Sequence, residues 1–121
     1  MNTEDARLLD RLSVAVQNLA ATPAAQIAHL STLGVKNSAD ELALEFDDVY
    51  RVFQTRSATI GIPPSTVEKL TVLDDLLQKM SGSSQAHLWT WKSLDDSVSW
   101  SAIRSIAGDV TSELDVGRGE T

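Results

Sequence analysis

Cysteine is absent from the sequence, which excludes a disulfide framework, a thiolate nucleophile and any cysteine-ligated zinc or iron–sulfur centre. A cytoplasmic setting fits such a chain. Basic side chains are scarce: 10 Lys and Arg stand against 17 Asp and Glu, a formal net charge of −7. The chain therefore lacks the cationic surface that neutralises phosphates, and no nucleic acid partner is expected. Long apolar runs are missing as well. No stretch approaches the roughly 20 apolar residues that cross a bilayer. Glu4, Asp5, Arg7 and Asp10 stand where the basic and apolar parts of a secretory signal would lie, so no membrane association is expected. Aromatic side chains make up only 5% of the residues, and the few present are expected to serve as packing anchors.

What is present is helical periodicity. Apolar residues form 42% of 121 positions, enough for an independent core at this length, and they recur every three to four residues with no competing strand pattern. The expectation is an all-α fold, a compact bundle of five or six short helices, with residues 1–114 as a single α-helical domain and 115–121 as a flexible C-terminal tail.

Start and stop signals divide the chain. Thr3 is the expected cap of a first helix running to Ala21, with Leu8, Leu12, Ala15 and Leu19 on one stripe and Leu9 and Val16 beside it. Thr22 caps a second helix with Pro23 at its first position, and Gly34 ends it. Ser38 and Glu41 have the spacing of a capping box for a third helix that reaches about Arg56 and buries Leu42, Phe46, Val49 and Phe53. Ser57 to Pro64 reads as a connection, and Ser65 and Glu68 form a second capping box. The fourth helix, to Met80, carries a broad apolar arc that includes Val72 and Leu76, which predicts a central place in the bundle. Gln85 to Trp91 is too short a pattern to assign. A last helix from Asp95 or Ser97 to Leu114 spaces Trp100, Ile103, Ala107, Val110 and Leu114 as a packing seam, with Gly108 as a point of close backbone approach.

The chemical inventory is thin. The two histidines, His29 and His87, have no carboxylate at metal-motif spacing; His29 reads as a helix-flank residue. The Glu-x-x-His pair of di-iron bundles is missing. The all-α nucleotide pyrophosphohydrolase pattern is half met by Glu45 to Asp48, but no Glu-x-x-Glu precedes it, and half a site does not hold magnesium between phosphates. No Gly-x-Ser-x-Gly elbow, Ser-x-x-Lys pair or Gly-rich phosphate loop occurs. No catalytic residue, metal ligand or cofactor is assigned, and the chain reads more readily as a non-enzyme.

Two features remain. From Asp40 to Asp48 five carboxylates occur with no Lys or Arg between them, and Leu44 projects among Glu45, Asp47 and Asp48. An apolar residue ringed by acids suits a basic protein partner; the plainer reading is the ordinary acidic bias of a helix start. His87 to Trp91 followed by Trp100 gathers all three tryptophans of the chain, a recognition surface at Trp89 and Trp91 or a plug for the bundle end. The expectation from these residues is an acidic, non-catalytic protein-binding module of the inhibitor, immunity-factor or adaptor kind. The alternative is a small enzyme or ligand-binding protein with an inter-helix site using Trp and carboxylate side chains. A third reading is a homodimer that buries the Trp-rich arm.

Overall fold

A computed structural model describes residues 2–119, with side chains to Leu114. The first helix, α1 (Thr3–Ala20), is capped by Asn2, whose side-chain oxygen accepts from the Asp5 amide at 2.8 Å, not by Thr3. Helix α2 (Pro23–Thr32) starts as expected: the Thr22 hydroxyl accepts from the Ala25 amide, and Pro23 occupies the first turn. It ends in a Schellman motif. The amides of Gly34 and Val35 donate to Ser31 and Leu30, and Gly34 takes φ +77°, a left-handed conformation that glycine adopts without steric cost.

Neither capping box forms. Helix α3 (Asp40–Ile60) starts two residues after Ser38, and its flanking residue Ala39 makes no side-chain cap. The Ala39 amide instead donates to the Trp89 carbonyl at 2.8 Å, so a distant segment fixes where the helix begins. Helix α4 (Pro64–Lys79) starts one residue before Ser65, again without a side-chain cap. Helix α3 also runs a turn beyond Arg56, because Ser57 to Thr59 hold no helix breaker and Ile60 reaches the core; the stop is Gly61 at φ +73°.

The segment left open by its sequence is helical. Residues Ser83–Trp89 form a 3-10 helix, Thr90 caps the short α5 (Trp91–Asp96), and α6 runs Val98–Gly119. The fold class is therefore all-α, with seven helical segments among the described residues where five or six were expected. The tail placed at 115–121 lies, in its side chains and in residues 120 and 121, outside the described residues.

Helices α1 and α6, rather than α4, form the centre of the bundle. Helix α1 packs on both α3 and α6, while α4 packs on α6, and α5 on α2 and α6. The buried positions of α1, from Asp5 to Leu19, spread over about 160° of its circumference at 100° per residue, whereas those of α4 cover about 60°. Val72 is 45% exposed and Leu76 only partly buried. The final seam is as expected, with Trp100, Ile103, Ala107, Val110 and Leu114 all buried. Gly108 is not a close-approach point, since a Cβ there would meet nothing within 4 Å.

Polar groups inside this core tie helices together. Asp5 is 1% exposed and bonds to Arg56 of α3; that guanidinium holds its carboxyl below the usual carboxylate range against the opposing effect of burial. Glu113 of α6 accepts from Lys69 and from Thr66 of α4, and both hold its carboxyl low. Gln26 is also 1% exposed. Its amide donates to the Asn18 and Leu19 carbonyls at 3.1 Å, and its oxygen accepts from Arg104 of α6 at 3.2 Å. Among the described residues no helix is long and apolar enough to cross a membrane.

Candidate functional site

Helix α3 carries most of the expected partner-binding residues, and the helical period sends them to two flanks. Leu44 and Asp47 face the end of α4 and the Trp-rich arm; Glu45 and Asp48 face α1. Consecutive residues turn by 100°, so one acidic run cannot present a single surface.

On the first flank two adjoining hollows, of about 550 and 180 Å³, share Ala43, Leu44, Ser81 and Trp89 and so form one groove. Phe46, Leu77 and Ala86 add apolar lining, and Asp40, Asp47 and Asp74 add carboxylates. Leu44 is 50% exposed here. Arg51, one turn along α3, bonds to both Asp47 and Asp74. The sequence offered no cation between Asp40 and Asp48, yet Arg51 partly neutralises Asp47 because residues four apart on a helix meet. Two carboxylates share that one guanidinium, so this end of the groove retains one formal negative charge. The carboxylates hold Arg51 firmly cationic, Asp47 most strongly.

The arm that completes the groove is held by its indoles. Trp89 donates from Nε1 to the Met80 carbonyl at 2.8 Å, and its ring meets Trp100 edge-on at 5.3 Å between centroids. Trp100 donates to the Leu88 carbonyl at 2.7 Å. Trp91 donates to the Ser38 carbonyl at 3.1 Å, and its amide donates to Asn37 Oδ1 at 3.3 Å. Asn37 itself sits at φ +52°, in the left-handed region that Asn tolerates better than most side chains. Trp89 and Trp91 are thus half-buried anchors whose polar ends are already bonded. Trp89 still lines the groove, whereas Trp91 is bonded to Asn37 and Ser38 in the loop that precedes α3 and lines neither hollow.

On the second flank, between α1 and α3, Asp10, Arg11, Val14, Asn18, Glu45 and Asp48 surround a hollow of about 420 Å³. Sequence reasoning missed one pairing here. His29 Nε2 lies 3.0 and 3.1 Å from the two Glu45 oxygens and 3.5 Å from Asn18 Nδ2. Motif spacing detects a His and a carboxylate on one helix face; this pair joins α2 to α3 across 16 residues, and no local signal announces it. Among the described residues no three His, Asp or Glu side chains gather as a metal site would require. No family model, curated protein or solved structure matches the chain, so its function is argued from these side chains alone.

Proposed function

We propose that the chain is a non-catalytic, acidic protein-binding module, of the inhibitor, immunity-factor or adaptor kind, that meets a basic protein through the outward side of α3. The observation that carries this reading is the joining of two features that are separate in the sequence. Leu44 and Trp89, 45 positions apart, line one groove whose only charged lining residues are Asp40, Asp47 and Asp74. An apolar floor with acidic margins attracts a cationic surface over distance and then buries an apolar anchor.

Display of a random peptide library against the protein at low salt tests the reading. Enriched sequences should combine Lys or Arg with a large apolar residue, and Asp40→Lys with Asp47→Lys should abolish their capture. Selection of no basic sequences, or undiminished capture by the reversed variant, would refute it. Glu45→Lys with Asp48→Lys reports on the other flank of α3.

The His29–Glu45 pair supports a second reading, a small ligand-binding protein or enzyme with its site between α1 and α3, where Asn18 and Asp48 also lie. A fragment screen followed by NMR shifts separates the two: hits that move Asn18, His29 and Glu45 resonances and vanish in His29→Gln favour a small ligand.

A further inference from the structure

We propose that the occupant of the Leu44–Trp89 groove is a basic amphipathic helix of a partner protein, which seats one large apolar side chain against Leu44, Leu77 and Trp89 and places cationic residues one heptad apart at Asp40 and Asp47. This inference rests on the binding-module reading and specifies the partner's secondary structure and residue pattern.

Charge complementarity selects the sign. The groove's lining contains three Asp and no Lys or Arg, and Arg51 leaves one of the two carboxylates at the Asp47 end unmatched. The end of α4 also borders the groove, through Leu77, Gln78 and Ser81, and the Lys79 side chain in that turn is not part of the lining.

Spacing selects the pattern. Asp40 and Asp47 lie seven residues apart on α3, about 10 Å at 1.5 Å per residue, with Ala43 and Leu44 midway. A helix laid along α3 repeats that distance between positions i and i+7, and its position i+4 falls over Leu44. The expected motif is Lys/Arg-x-x-x-Φ-x-x-Lys/Arg, with Φ a Leu, Met or Phe.

Backbone accounting selects the helix. An extended peptide needs main-chain partners, usually a free strand edge, and no strand exists among the described residues. Several main-chain groups beside the groove are already used: the Ala39 amide and Trp89 carbonyl bond to each other, and the Met80 carbonyl accepts from Trp89. A helix satisfies its own amides and asks the groove only for side-chain contacts.

The test is a titration of the whole protein with lactam-constrained helical peptides carrying Lys-x-x-x-Leu-x-x-Lys, followed by Trp emission and by NMR shifts at Leu44. Comparison peptides replace Leu by Gln, replace both Lys by Glu, or keep the composition and interrupt the helix with Pro. The expected result is binding of the helical basic peptide at least about tenfold tighter than each comparison peptide, and an equal loss with Leu44→Asp. Leu44 is half-exposed, so that variant keeps the fold; circular dichroism verifies this, and Leu44→Gln serves if it does not. Equal binding of the Pro-interrupted peptide would overturn the helical occupant and leave the binding-module reading standing. If display selection succeeds while the helical peptide does not bind, only this inference falls; if both fail, both readings fall.

Discussion

Replacing Gln26 by methionine keeps the volume of the side chain and removes every hydrogen bond it makes. The position matters because of two neighbours in the chain. Pro23 starts α2 well, but it has no N–H to give the Leu19 carbonyl four residues earlier, and α1 ends at Ala20 with Ala21 extended, so its last carbonyls lack the next turn's amides. The Gln26 amide supplies what the backbone lacks, donating to both the Asn18 and Leu19 carbonyls, while its oxygen accepts a hydrogen bond from Arg104. Net values of about 1 kcal/mol for each neutral bond and somewhat more for the charged donor give a cost of about 2–4 kcal/mol for Gln26→Met. For a domain of this size that corresponds to a fall in Tm of roughly 8–16 °C. Urea titration with tryptophan emission as the probe measures it, with the slope against urea checked for constancy. Arg104→Met alone should cost about 1 kcal/mol, and the double variant should cost less than the two singles together. A change below about 0.5 kcal/mol for Gln26→Met would show that the carbonyls find other partners, and the reasoning would fail.

The Asp5–Arg56 and Glu113–Lys69 pairs predict the pH dependence. Arg56 lowers the pKa of Asp5, and Lys69 with Thr66 lowers that of Glu113; such carboxyls stabilise the fold fully above their unfolded values near about 4 and lose that contribution as pH falls through the folded values. Asp5→Asn with Glu113→Gln should lower stability at pH 7 and flatten its decline between about pH 5 and 2; an unchanged acid limb overturns the assignment. Gly108→Ala should stabilise by about 0.5–1 kcal/mol, because the position is helical and open to a Cβ. Gly61→Ala should destabilise by about 1 kcal/mol through its left-handed backbone alone, with no clash; thermal melts of the two glycine variants should move in opposite directions. Trp100→Ala should cost about 3–5 kcal/mol through the cavity left beside Trp89, and a melt within 5 °C of the parent contradicts that.

Much of the fold was legible in the sequence where the deciding interactions are local. The Thr22–Pro23 start, the Gly34 stop and the Trp100 to Leu114 seam depend on residues a turn or two apart, and they are found where the pattern places them. The capping boxes were misleading for the opposite reason. Ser38 and Glu41 have the right spacing, but the Trp89 carbonyl binds the Ala39 amide and Trp91 binds the Ser38 carbonyl, so contacts from 50 or more residues away set the start of α3. The breadth of the apolar arc on α4 likewise counted Val72 as core, and only the packing of α1 on α3 and α6, and of α6 on α1, α4 and α5, shows which helices are surrounded.

The candidate site divides the same way. The residue types were visible: an acidic α3 with Leu44 outward, and tryptophans crowded into one arm. Their arrangement was not, because the groove needs α3, the end of α4 and the arm at once, and the His29–Glu45 pair needs α2 against α3. By itself the sequence determined the helical class, the acidic charge and the ends of α1, α2 and α4 to within a residue or two, since periodicity, composition and backbone sterics act over a few residues. Tertiary structure alone decided which helices lie at the centre, which carboxylates meet a cation and which apolar side chains share a groove, because those depend on distances between segments that the chain itself keeps far apart.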